Sequence, residues 1–306
     1  MLAAQCEGLF AFHQARLNAL PDGGASIARS PPAQRPPLPG LRVLLGWPAH
    51  WSASEQALAR AWVEHVLHAE DTDLSRGYSI TVSSLAGSGE DLWLRVDQLA
   101  HGPGHSPWML VLACDSDVDS ARVQALAAAQ RLYDPTVRPG GCVPGEAAAA
   151  LLLAPADWTP PDGMDLQTAL IHRPALMRRD KPVDAPGRVS HQALAQALEQ
   201  ALMAAQIDAA DVALLVCDAD QHSQRSTELY GLAVQALEHL DPVEDMRLLG
   251  RITGHTGAAS ALLVLAAAAE AVKALKKPTL ALTLADPHLR MALVLKPPAE
   301  REEATA

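Results

Sequence analysis

Three short stretches carry side chains suited to covalent chemistry. Ser88 lies in Gly87-Ser88-Gly89, at an expected strand-to-helix turn. His255 lies in Gly254-His255-Thr256-Gly257, ahead of a long apolar run, and Cys217-Asp218 closes the apolar run that starts at Val212. A serine at such a turn, a histidine base and a carboxylate to orient it are what acyl transfer and hydrolysis use. Ser88, His255 and Asp218 are therefore the candidate trio, with Cys217 as the alternative nucleophile. A plainer reading competes at each place. The spacing is Gly-Ser-Gly rather than Gly-x-Ser-x-Gly, and a serine ahead of a helix usually caps it. A lone histidine at a helix start is more often structural than catalytic.

Metal chemistry finds less support. Asp115, Asp117 and Asp119 imitate the opening of a calcium loop, but Ser120 and Leu126 stand where the turn glycine and the bidentate glutamate belong. Helix capping is the expected role of these aspartates. His65 and His68 fall on one expected helix, and His101 and His105 flank Gly-Pro-Gly, without a thiolate or carboxylate at ligand spacing. No metal and no cofactor are expected. Cys6, Cys114, Cys142 and Cys217 show no CxxC spacing, and three of them lie in apolar, strand-like segments. They read as reduced core thiols of a cytoplasmic protein.

These side chains need elements to place them. From Thr256 to Ala269 there is no charged residue, and apolar positions occupy every face. Such a helix is buried on all sides or spans a membrane. The run is short and Ala-rich for a bilayer and ends in Glu270, Lys273, Lys276 and Lys277, so a helix in the middle layer of a sandwich is expected. The lysines sit where the helix dipole favours cations.

Around it, apolar runs read as strands: Leu41–Gly46, Tyr78–Ser83, Trp108–Cys114 and Ala147–Ala154, then Leu166–Leu176, Val212–Cys217, Met246–Leu249, Thr279–Leu284 and Met291–Leu295. Helices are expected at Ser54–His68, with Leu58, Trp62, His65 and Val66 at helical spacing, and at Glu90–His101 and Ser120–Tyr133. Two more are expected at Ser190–Ala205, capped by Ser190, and at Thr227–Leu240. Strands apolar throughout imply sheets covered on both faces, hence α/β layering. Two successive β/α halves amount to an internal repeat.

Composition narrows the function classes. Hydrophobic residues make up 49% of the 306, enough for a sizeable core, while aromatics are only 4%. A net charge of −11 without a basic run argues against nucleic acid or an anionic membrane as partner. Residues 1–20 lack a basic leader segment, and Glu7 and Arg16 break the apolar run, so an amphipathic helix is expected rather than a signal peptide. Gln5 before Cys6 also disfavours a lipoprotein cysteine. Pro21 to Gly40 holds six prolines and reads as an extended connector.

Three stretches carry a resemblance. Pro144–Ala154 (PGEAAAALLLA) looks like the "GEGAAALVLE" strand of β-ketoacyl synthases, and Met109–Ser116 (MLVLACDS) resembles the "ALVGGVDS" strand before it. Gly254–Leu263 (GHTGAASALL) is similar to the element that carries a catalytic histidine. The resemblance spans roughly Leu41 to Pro297 and implies a thiolase-like αβαβα five-layered sandwich, shortened, built from two pseudo-repeated halves. It implies 1–40 as helix and connector, 41–160 and 161–298 as the halves, and 299–306 as a disordered tail.

The departures decide the expected function. By the resemblance, the nucleophilic cysteine belongs between Leu85 and Ser88, and no cysteine is there. The first catalytic histidine belongs near Cys217–Asp220, which has none; the lysine belongs near Gly250, where Arg251 follows. The Gly-rich oxyanion loop is replaced by Ala285-Asp286-Pro287-His288. Val216–Gly231 and the GxTGAAS element resemble degenerate ketosynthase-like proteins encoded beside bacterial type VI secretion effector genes. The expectation is a pseudoenzyme with no catalytic residues, in which Ser88, Cys217, Asp218 and His255 line a vestigial cleft. Its partner would be a protein, a secreted effector or its chaperone, and the chain itself a homodimer joined through Trp108–Cys114. The alternatives are a divergent acyltransferase or hydrolase, and a non-catalytic module binding acyl groups or acyl-carrier protein.

Overall fold

Alternating strand faces explain the layering. The computed structural model describes residues 40–68, 79–102, 108–156, 158 and 169–298. The first sheet has the order β2-β1-β3-β4, from β1 (Gly40–Trp47), β2 (Ser79–Ala86), β3 (Trp108–Ser116) and β4 (Glu146–Leu153). β1 pairs parallel with β2 and β3, and β4 pairs antiparallel with β3. Leu41, Val43 and Leu45 face an outer helix, α1 (Ala53–Leu67), while Leu44, Val111 and Ala113 face the middle layer.

The second sheet repeats that order. β7 (Leu214–Cys217) lies between β8 (Met246–Leu248) and β9 (Thr279–Thr283), both parallel, and β10 (Leu289–Lys296) closes antiparallel on β9. Two short strands, β5 (Leu170–Ile171) and β6 (Ala175–Arg178), extend it beyond β10. Its outer face is covered by α4 (Gln192–Ala205) and α5 (Ser223–Ala236), its inner face by the middle layer.

That middle layer is a helix pair, α2 (Gly89–Ala100) and α6 (Ser260–Leu275), sharing one core with the inner faces of both sheets. A small helix, α3 (Ser120–Ala128), follows β3. The order helix, sheet, helix pair, sheet, helix is the five-layered α/β sandwich expected. A Cβ on Gly89 would lie 2.7 Å from the Ala261 Cβ, so the two central helices touch at their first turns. The segment Gly257–Leu275 is apolar and long enough to cross a membrane by composition, contrary to the length argument from the sequence, but it is sandwiched between sheets as a core helix.

Several expectations need correction. Trp108–Cys114 is not an edge: β3 is paired on both sides, and the edges of the first sheet are β2 and β4. The face chosen for α1 was the wrong one. Leu58 and Trp62 are 74% and 59% exposed, while Val63 and Leu67 pack inward. Its cap is Ser52, not Ser54, through a full capping box with Glu55. His191 holds the cap position of α4 without a side-chain bond of its own, and the expected Ser190 contributes from one residue earlier, its Oγ accepting the Gln192 N–H at 3.3 Å. α5 starts four residues before the expected Thr227, because the His222 Nδ1 accepts the Gln224 N–H and starts the turn earlier. Leu166–Leu176 is not one strand, since β5 and β6 are separate. The helix over residues 1–20, most of the connector, His105 and the tail lie outside the described residues.

Candidate functional site

In the first sheet the chain moves from β1 to β2 on one side, then back across to β3 on the other. The carboxyl ends of β1 and β3 therefore flank a switch point, the place where open α/β sheets bind ligands. The turn after β1 brings His50 to this point; the end of β3 brings Asp115 and Asp117. The start of the central helix arrives from the second half. Segment 142–145 is held against it, because the His255 N–H donates to the Val143 carbonyl at 2.8 Å and Pro144 bridges to His255. Gly145 and Gly254 make that approach possible, since a Cβ on either would run into the opposite backbone.

Asp115 ties β3 to the central helix. Its Oδ2 accepts the Ala258 N–H at 2.8 Å, at the helical turn Gly257–Ala259 that leads into α6. Gly257 sits at φ +42°, and any Cβ there would collide with the Asp115 carboxylate. Burial raises the Asp115 pKa, with the Asp117 charge adding to it, while the Ala258 N–H works the other way. Its Oδ1 is buried and has no hydrogen-bond partner.

Asp117 is the hub beside it. Burial would push its carboxyl up, but hydrogen bonds from His255 and Arg122 outweigh this and hold its pKa at about 2. The His255 Nδ1 lies 2.9 Å from Oδ2, and the Arg122 Nε donates to Oδ1 at 2.5 Å. The Cys142 thiol completes the group: one ligand atom each from Asp117, Cys142 and His255 lie within 4.8 Å of one another. Burial, then the Asp117 charge, raises the Cys142 thiol to about 11. Its backbone is clamped, its N–H on the Arg131 carbonyl and its carbonyl on the Tyr133 N–H.

The expected trio does not assemble. Ser88 caps α2, its Oγ accepting the Asp91 N–H at 3.1 Å and donating to the Asp91 Oδ2 at 2.9 Å. Asp218 is buried on the far side of α6, where it accepts the Ser260 hydroxyl and the Leu284 N–H, each at 2.6 Å. Burial raises its pKa. His255 pairs with Asp117 instead. Cys217 faces the outer cluster of α4 and α5, and burial drives its thiol up to about 12. Of Asp115, Asp117 and Asp119, only Asp119 caps the helix that follows, α3.

Sequence reasoning missed the side chains that matter most here. Cys142 and His50 stood in loops without a ligand-spaced neighbour, and His255 finds Asp117 only 138 positions away. Glu90 was read as an ordinary helix residue. Burial, followed by the nearby Asp218 charge, raises it to about 7. Arg290 is fully buried and pairs through Nε and Nη2 with both Glu228 carboxylate oxygens at 2.9 Å, with Arg179 on the same carboxylate. This network lies under the β9–β10 turn, away from the switch point.

No protein-family model and no curated protein matches the chain. Solved structures do. The ishigamide ketosynthase/chain length factor superposes with a TM-score of 0.58 and 19% identity, over 87% of this chain and 75% of that one. The ketosynthase from module 6 of the bacillaene synthase of Bacillus subtilis 168 gives 0.60 and 14%, over 87% of this chain and 54% of that one. The 3-oxoacyl-[acyl-carrier-protein] synthase III of Aquifex aeolicus VF5 gives 0.50 and 15%, over 83% and 76%. At these identities the likeness is one of fold alone, and this chain has a thiolase-like α/β fold like that of these ketosynthases.

Proposed function

We propose that this chain uses a ketosynthase fold without ketosynthase chemistry and acts by binding a protein partner. The observation that carries the reading is the start of α2. Where the resemblance puts a cysteine, the chain has Ser88 locked to Asp91 and Gly89 packed on Ala261. Ser88 is engaged as a helix cap, and a side chain at Gly89 would run into Ala261. An enzyme needs a nucleophile within reach of a base. Of the two nucleophiles weighed from the sequence, Ser88 bonds its capping partner Asp91 and Cys217 is buried in the outer cluster, while His255 pairs with Asp117 instead.

The partner we infer is a type VI secretion effector or a chaperone of one, with this chain as a cytoplasmic adaptor. The support is the sequence likeness of Val216–Gly231 and the GxTGAAS element to proteins encoded beside such effector genes. The test is affinity capture of the tagged full chain from its native cells, followed by reconstitution with the purified candidate. A stable complex with an effector or its chaperone is expected. Turnover of a thioester, or capture of an acyl-carrier protein in its place, would overturn the adaptor reading.

A further inference from the structure

The side chains at the switch point form a donor set that the adaptor reading does not use. Asp117, Cys142 and His255 offer a carboxylate, a thiol and an imidazole within 4.8 Å of one another, and His50, Asp115 and Asp117 form a second such group. The two groups share Asp117. Donor atoms of a tetrahedral zinc, each about 2.0–2.3 Å from the metal, stand roughly 3.3–3.8 Å apart, so small side-chain movements close the set. A second observation points the same way. Asp115, at the same strand end, is 9% exposed, its Oδ1 is buried without a hydrogen-bond partner, and its carboxylate lies within 4.8 Å of the His50 and Asp117 ligand atoms. An unpaired buried carboxylate oxygen is costly, and a cation relieves it.

We propose that Asp117, Cys142 and His255, with Asp115 and His50 completing the cluster, bind a divalent transition-metal ion of the zinc type. The charges agree. Two carboxylates and a metal-bound thiolate, less the Arg122 guanidinium, leave two negative charges for a divalent ion to cancel. Sulfur and nitrogen donors favour zinc over calcium or magnesium, which take oxygen shells. The supporting shell is in place: Arg122 holds Asp117, the Ala258 N–H holds Asp115, and main-chain pairing fixes Cys142 and His255. The ion would join the end of β3, segment 142–145 and the lead-in to α6, stapling the two halves of the fold. It neither requires nor excludes a protein partner.

Full-length protein, stripped with a chelator and titrated with cobalt(II), tests the site. A thiolate-to-cobalt charge-transfer band with tetrahedral visible bands, displaced by zinc, is expected. Cys142→Ala should lose that band, and Arg122→Ala should weaken metal affinity by about 10- to 100-fold, as loss of a positioning partner does. A wild-type protein without the band, or a Cys142→Ala protein that keeps it, would overturn the proposal. If Cys142→Ala does not fold, wild-type protein is treated with iodoacetamide with and without zinc. Zinc should protect Cys142 and leave Cys114 unprotected; labelling of Cys142 unchanged by zinc would equally refute the site.

Discussion

Two central carboxylates are driven in opposite directions by their surroundings. Asp117 is held at about 2 despite its burial, because His255 and Arg122 face its two oxygens. Its contribution to stability is present above the ordinary aspartate pKa and is lost as pH falls from there through about 2. Glu90 is the reverse case, raised to about 7 by burial and by Asp218. The folded protein holds a proton that the unfolded chain releases, so stability falls as pH rises from the ordinary glutamate pKa to about 7. Denaturant melts of wild type should show this loss, at no more than about 1.36 kcal/mol per pH unit, and Glu90→Gln should flatten it. An unchanged slope would mean that Glu90 ionises normally. His255→Ala removes one partner from Asp117 and should cost about 1–3 kcal/mol while leaving partner binding nearly unchanged. A variant that melts like wild type yet loses its partner would return His255 to functional duty. His255 was legible from its motif; Asp117, Cys142 and Arg122 were not, since only tertiary contact gives them meaning.

Elements with a single overriding signal were read correctly. The uncharged run after Thr256 announced a helix without a polar face, and α6 is that helix, packed in the core between the two sheets. The apolar runs of β1, β3, β7 and β9 likewise announced sheets covered on both sides. Elements whose faces carry mixed signals were misread. On α1 the apolar residues at Leu58 and Trp62 point outward, and the buried stripe runs through Val63 and Leu67. The apolarity of β3 suggested an edge in need of cover, yet it marks an interior strand with a helix layer on each face. Packing at the start of the central helix gives the sharpest test at this scale. Gly257 combines a positive φ with the Asp115 carboxylate where a Cβ would go. Gly257→Ala should destabilise the protein by about 1–3 kcal/mol, and Gly257→Leu by more, read as a drop in melting temperature. A Gly257→Ala protein that melts like wild type would show that Asp115 does not press on this turn.

Across the whole molecule, the repeated strand order and the shared core bind the two halves into one body, leaving β2 as an edge of the first sheet with five of its eight residues exposed. An unpaired edge invites pairing with a second copy across a twofold axis. We propose that the expected homodimer uses the exposed edge β2, since β3 is paired on both sides. Light scattering should report a dimer, and Thr81→Lys with Ser83→Lys should give monomers by placing like charges across the axis. A wild-type monomer at micromolar concentration would contradict it. The central proposal concerns chemistry: that this sandwich keeps a ketosynthase-like fold without acyl transfer. Intact-mass measurement of the protein after incubation with acyl- and malonyl-thioesters tests that directly. The account predicts an unchanged mass and no condensation product. A stable acyl adduct mapped to Ser88, Cys142 or Cys217 would contradict it.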